Sequence, residues 1–287
     1  MPPPFPDLDT IISETKDISP APQILPKLRR ILDDPDSELH EAVALMKMDV
    51  ALSGRILKYA NSSLFRVGDP VDSLDYAVQR FGFRQVQKLV LLASAKSALS
   101  RKLALFETGG YSLFEISLSC GEIMSSLASG EGFLDQEVAY TVGLFQGIGK
   151  IVVDDYFSRS GLVFYGNGNE FKSREEQRKF LGFDHAQAGA ALLKKWRFSE
   201  SVWTPIEEQF APLVELTEHR ASTLALNFSV FAAIEILEPP FEPELIIESY
   251  RDQYPDFWEE SGFSEERTKA MLLQAQEAYQ NNVQITR

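Results

Sequence analysis

Apolar residues recur at helical spacing along most of the chain, beginning with Ile24, Leu25, Leu28, Ile31 and Leu32. Asp33-Asp34-Pro35-Asp36 interrupts that pattern, and Asp36 or Ser37 is placed to cap a second helix carrying Leu39, Val43 and Met46. A third runs from near Asp49 through Leu52, Ile56, Leu57 and Tyr59 to the polar turn Asn61-Ser62-Ser63. After Gly68 and Pro70, Asp72 with Asp75 predicts the start of a helix through Leu74, Ala77, Val78 and Phe81, with Gly82 as its stop. Phe83 to Leu99 forms the next.

Gly109-Gly110 reads as a hinge, followed by Ser112 and Glu115 in capping-box spacing and a helix toward Ala128. Glu137 to Tyr156 is strongly apolar, and the run Tyr165-Gly166-Asn167-Gly168-Asn169 reads as a mobile loop, placed where it could gate a site. Ser173 with Glu176 makes another capping box, and helices are expected near 184–195, 199–210 and 214–237. Pro239, Pro240 and Pro243 set off an acidic final segment, in which Ser264 with Glu265 and Glu266 starts an amphipathic helix through Met271, Leu272 and Ala275. No regularly spaced set of alternating strands and no fixed-period repeat is visible, so the expected fold class is all-α.

Composition narrows the function. Twenty Phe, nine Tyr and three Trp supply enough apolar surface for a packed core. The formal charge of −14, from 42 acidic against 28 basic residues, repels phosphate backbones and argues against nucleic acid as a partner. Lys27, Arg29 and Arg30 read as a solvated helix face. A single cysteine, Cys120, has no disulfide partner and sits in an apolar helical stretch, which places it in the core. The start MPPPFPDLDT lacks the features of a secretory leader, and Ala221 to Ile234 is too short to span a bilayer of about 30 Å, so a cytoplasmic protein without a membrane partner is expected.

The block Asp49-Val50-Ala51-Leu52-Ser53-Gly54-Arg55-Ile56-Leu57-Lys58-Tyr59-Ala60-Asn61-Ser62 resembles the "DPALTARLLRLANSALYG" signature of the HDOD (HD-related output domain) family. The likeness extends to Leu25-Pro26, the Asp-Pro-Asp turn at 34–36, Ser63-Leu64-Phe65, Ser73 to Ala77 and Phe81-Gly82-Phe83. It implies two helical subdomains: a flexible lead-in over 1–15, an N-terminal helical bundle over 16–108, an HD-like helical bundle over 109–238, and a C-terminal acidic helical extension over 239–287. Asn61 reads either as a helix terminator or as a residue at the subdomain interface.

HD-superfamily phosphohydrolases bind metal through an early His, a His-Asp pair, later His residues and a final Asp. Here Phe114-Glu115-Ile116-Ser117 carries Ile116 in the first position, and Gly143-Leu144-Phe145-Gln146-Gly147-Ile148-Gly149-Lys150 resembles "GLLHDIGK" with the His-Asp pair replaced by Gln146-Gly147. An amide and a hydrogen supply neither imidazole nor carboxylate. Asp184-His185-Ala186-Gln187-Ala188-Gly189 resembles "DHAxxG" and leaves His185 as a single imidazole in a ligand-like place. The next His pair falls on Gln209-Phe210, and Leu224 to Phe231 has no aspartate. His40 and His219 lie among polar residues and read as surface histidines.

The expectation is therefore a chain with no catalytic residues, no metal and no cofactor, whose relic pocket of Gln146, Lys150 and His185 takes at most a small anionic ligand. His185 also reads as a first-turn residue behind an Asp184 cap, and Lys150 as an exposed or ion-paired lysine; a P-loop is excluded by Leu144 and Ile151. The resemblance implies signalling partners from two-component or cyclic-dinucleotide pathways, met by an exposed surface that includes Tyr254, Phe257 and Trp258 unless the tail covers them. The alternatives are a metal-dependent phosphohydrolase or phosphodiesterase with carboxylate ligands drawn from elsewhere, and an adaptor that binds no small molecule.

Overall fold

The computed structural model describes residues 7–15, 24–33, 39–62, 70–106, 110–160 and 173–286. In chain order its helices are α1 (Leu8–Glu14), α2 (Leu25–Asp33), α3 (Leu39–Lys47), α4 (Val50–Ala60), α5 (Leu74–Phe81) and α6 (Phe83–Leu99). There follow α7 (Leu113–Glu131), α8 (Gln136–Phe145), α9 (Ile148–Ser160), α10 (Arg174–Leu181), α11 (His185–Lys195) and α12 (Glu200–Glu208). A short 3-10 turn, Leu213–Glu215, precedes α13 (Arg220–Glu235), α14 (Pro243–Gln253), α15 (Pro255–Ser261) and α16 (Glu265–Thr286). No strand occurs among the described residues, and none of their helices is long and apolar enough to cross a membrane.

The chain groups into two compact units, residues 19–99 with 280–287, and residues 1–18 with 100–279. In the first, Leu28, Val43, Met46, Leu52, Ile56, Leu74, Val86, Leu89 and Leu92 are buried together. Asp49 starts α4 by accepting the amide of Leu52 at 2.8 Å. At its other end Asn61 is a clamp: its Nδ2 donates to the carbonyls of Leu57 (2.9 Å) and Val71 (2.7 Å), and its Oδ1 accepts from the Val71 amide at 2.7 Å. The cap of α5 is Ser73, one residue after the expected Asp72; its hydroxyl accepts the amide of Tyr76, while Asp75 pairs with Lys47 at 2.6 Å. Lys96 donates to the Thr286 carbonyl at the chain's end.

The larger unit is built around α7, which is buried along nearly its whole length, with Cys120 at its centre. Glycines allow its contact with α8: a Cβ on Gly143 would stand 2.6 Å from the Cys120 carbonyl oxygen. Ser112 and Glu115 form the expected capping box of α7, as Ser173 and Glu176 do for α10. Two features depart from the sequence reading. Residues 8–14, expected as flexible lead-in, form α1, started by Asp7 and anchored by the buried Ile11 and Ile12. The chain turns through Leu213–Glu215 before α13 begins at Arg220, later than the expected 214; the apolar run 137–156 lies in two helices broken at Gln146-Gly147.

Residues 239–279 group with this unit rather than standing apart. Phe228 on α13 meets Tyr250 edge-on at 5.0 Å and lies 6.3 Å from Trp258 and 6.1 Å from Phe263. Met271, Leu272 and Ala275 are buried on α16, as the amphipathic pattern predicts. The expected Asp34-Pro35-Asp36 turn, the Asp36 or Ser37 cap, Ser63-Leu64-Phe65, Gly109 and the loop 165–169 lie outside the described residues.

Candidate functional site

The site begins where α9 crosses α11. A Cβ on Gly149 would stand 2.5 Å from the amide nitrogen of Gly189, so only glycine lets these backbones approach so closely. The crossing sets Lys150, next on α9, beside His185, the first residue of α11. Asp184 caps α11 by accepting the amide of Gln187 at 3.1 Å, with the Gln187 side chain returning to the Asp184 amide.

His185 is 6% exposed and held from outside its own helix. The Oε1 of Gln177 on α10 accepts the His185 backbone amide at 2.8 Å and faces ring Nδ1 at 2.9 Å. Because the backbone amide needs an acceptor, that atom of Gln177 is the oxygen; Nδ1 therefore carries the proton and Nε2 keeps its lone pair. Phe106 and Phe210 meet the imidazole edge-on, at 5.9 and 5.8 Å. Burial above all, then the charges of Lys150 and Arg174, hold the His185 pKa well below 6.5, so the ring is neutral at neutral pH.

Lys150 is half-buried, its ammonium 5.9 Å from the centre of the Phe106 ring, and loss of hydration lowers its pKa. Its ammonium makes no ion pair or hydrogen bond among the described residues. Arg174 adds a second cation, lying 4.6 Å over Phe210 and donating to the Phe210 carbonyl at 2.9 Å. Arg174 and Arg178 share one carboxylate, that of the fully buried Asp184, at 3.0 and 2.9 Å. Lys150 and Arg174 thus lie near a neutral imidazole, and Arg174 shares its one carboxylate with Arg178.

Gln146 is 3% exposed at the corner between α8 and α9 and makes no side-chain hydrogen bond among the described residues. Next to it, a Cβ on Gly147 would stand 2.7 Å from Leu113 Cδ1, the movable tip of a side chain. Behind it lies the buried Ser117 hydroxyl, which has no partner. The structure joins Lys150 and His185 through Phe106; Gln146 adjoins them in the chain without bonding to either, and Asn61 makes its side-chain hydrogen bonds within its own unit.

A catalytic metal does not fit this donor set. Gln146, Gly147 and Ile116 bring no anionic or imidazole donor, and the single imidazole has cationic neighbours. The buried carboxylates of α9 are committed elsewhere. Asp154 accepts the amides of Ala104 (2.6 Å) and Leu105 (3.0 Å), and Asp155 pairs with Arg101 (3.2 Å) and Arg159 (2.9 Å). Among the described residues no group of three or more His, Cys, Asp or Glu could hold a metal ion. Asp154 thereby fixes the segment that carries Phe106 to His185. The sequence reading missed Phe106, Gln177 and Arg174, whose only signal in the chain is the capping box ahead of α10.

Comparison with known proteins identifies the family. The HDOD domain family matches residues 18–212. An uncharacterized protein of Treponema pallidum (strain Nichols) is 26% identical over 219 residues; the match covers 71% of this chain and 42% of that protein, so the chain spans under half the length of this relative. Among solved structures, an HDOD domain protein with unknown function from Geobacter sulfurreducens aligns with a TM-score of 0.62 at 18% identity, over 95% of both chains. A candidate phosphohydrolase from Shewanella amazonensis SB2B aligns with a TM-score of 0.64 at 20% identity, over 96% of this chain and 98% of that one. A candidate signal transduction protein from Marinobacter aquaeolei VT8 gives 0.65 at 17% identity, over 98% of this chain and 65% of that one. With the signature block, the replaced His-Asp pair and a family match over most of the chain in agreement, this protein belongs to the HDOD family.

Proposed function

We propose that the chain is a non-catalytic regulatory module that acts through protein partners in signalling pathways and takes a small anion at Lys150 and His185, where catalytic HD relatives bind metal. One observation carries this reading: a neutral, buried imidazole held by Gln177 lies near the cations Lys150 and Arg174, and the one carboxylate beside them, Asp184, is shared between Arg174 and Arg178. Such a field repels a divalent cation and attracts an anion. Support for signalling partners is weaker, coming from family membership and from the fold shared with the candidate signal transduction protein of Marinobacter aquaeolei.

The test uses the full chain, purified without chelator. Elemental analysis and a phosphodiesterase assay with added manganese are expected to show neither stoichiometric metal nor turnover. Pyrophosphate is expected to raise the melting temperature of the wild type and not of Lys150→Ala. Stoichiometric metal accompanied by turnover would sink the non-catalytic reading, and equal pyrophosphate shifts in both proteins would sink the anion site.

A further inference from the structure

A cavity of about 410 Å³ opens in the larger unit between Arg174 on α10, the 210–212 turn, α13 and the junction of α14 with α15. We propose that it is a second binding site, for a small molecule combining a flat aromatic ring with an anionic group. Its lining shares Arg174 and Phe210 with the surroundings of His185 but includes none of Lys150, His185 and Gln146.

The walls are aromatic. Phe210, Phe231, Tyr254 and Phe257 all face the space, with Val230 at its side. Tyr254 is braced by Phe231 (6.1 Å), Tyr250 (5.2 Å) and Phe257 (6.2 Å), so the stacking surfaces are built before any ligand arrives. Its volume falls within the range of small-molecule sites.

The polar groups set the charge. Among the described residues Arg174 is the only charged one of the lining, and its guanidinium is oriented by Asp184 and by the Phe210 carbonyl. Arg178 shares the Asp184 carboxylate, so the trio keeps one net positive charge, while no acidic side chain among the described residues lines the cavity of a protein with formal charge −14. Asn227 is fixed as well, donating to the Gln209 carbonyl at 2.7 Å and accepting from the Tyr250 hydroxyl at 2.8 Å. A hydrocarbon would leave the cation unused, and a simple inorganic anion would leave the rings unused; a ring bearing an anion uses both. Asn227, Val230, Phe231, Tyr254 and Phe257 lie beyond residue 212, where the family match ends, so the C-terminal part of this chain supplies the ring-binding half.

Two probes with the same rings separate the contributions: 8-anilinonaphthalene-1-sulfonate, which is anionic, and N-phenyl-1-naphthylamine, which is neutral. Titrating the full chain is expected to give saturable, one-to-one fluorescence with both, tighter for the sulfonate. Val230→Trp, which fills the space, and Phe257→Ala, at a half-buried ring, are each expected to weaken both probes about tenfold. Arg178→Ala, outside the lining, is expected to weaken the sulfonate about threefold and leave the neutral probe unchanged. Lys150→Ala is expected to change neither, which separates failure here from failure of the anion site. Sulfonate binding that survives both Val230→Trp and Phe257→Ala, or that never saturates, overturns the site; equal affinity for the two probes overturns its anionic specificity.

Discussion

Gly149 lies against the backbone of His185 so closely that any side chain on it would overlap the His185 carbonyl oxygen. The position of Lys150 relative to the imidazole is therefore set by a contact between two helix backbones, which cannot drift as side-chain packing can. Gly149→Ala is expected to destabilise the protein by at least about 1–3 kcal/mol, the cost of overpacking a tight contact. Urea denaturation reads this directly, and an alanine variant as stable as the wild type would show that α9 and α11 separate freely.

The buried imidazole makes stability depend on pH. The folded-state pKa of His185 lies well below 6.5, so below about 6.5 the unfolded chain binds a proton that the folded one refuses. Its contribution is complete above that value. It is lost as pH falls, at up to about 1.4 kcal/mol per pH unit, until the folded ring also protonates. His185→Asn should remove this component between pH 6.5 and 5, so a wild-type minus variant difference that stays flat there would contradict a neutral, buried ring.

Asp184 serves two arginines and one helix start. Asp184→Asn keeps an oxygen for the Gln187 amide but leaves Arg174, whose side chain is 18% exposed, without its counter-charge. A loss of about 2–3 kcal/mol is expected, below the usual cost of breaking a fully buried pair because Arg178 is about half exposed. Arg178→Ala, by contrast, should cost under about 1 kcal/mol. Thermal melts of the two variants side by side decide whether the charge or the cap dominates.

The three side-chain hydrogen bonds of Asn61 give that residue a local task. Asn61→Ala should cost about 2–3 kcal/mol, at about 1 kcal/mol per bond, and should speed hydrogen exchange at the Val71 amide. Asn61→Asp keeps the acceptor for that amide but sets a carboxylate oxygen against the Leu57 and Val71 carbonyls, so it should cost at least as much as the alanine variant. Unchanged exchange at Val71 in the alanine variant would remove the clamp from the account and favour a docking role.

What was legible in the chain was local. Capping boxes at Ser112 with Glu115 and at Ser173 with Glu176 are complete within four residues, and the amphipathic stripe of Met271, Leu272 and Ala275 repeats within one helix, so reading along the sequence locates them. Where a helix began with two adjacent candidates, as at Asp72 and Ser73, sequence alone placed the cap one residue early, because backbone direction decides which oxygen reaches the amide. The helix at 8–14 escaped notice because its stability comes from burying Ile11 and Ile12, and a Pro-rich opening hides that.

The candidate site divides the same way. Identity alone determined that Gln146, Gly147 and Ile116 supply neither imidazole nor carboxylate, since donor chemistry belongs to the residue wherever it lies. Tertiary structure alone decided that Gln177 fixes the His185 ring, that Phe106 joins it to Lys150, and that Arg174 faces an aromatic cavity completed by Tyr254 and Phe257. These partners come from separate helices and loops, and the close glycine crossing, the burial that shifts the pKa and the empty volume exist only once those segments have packed.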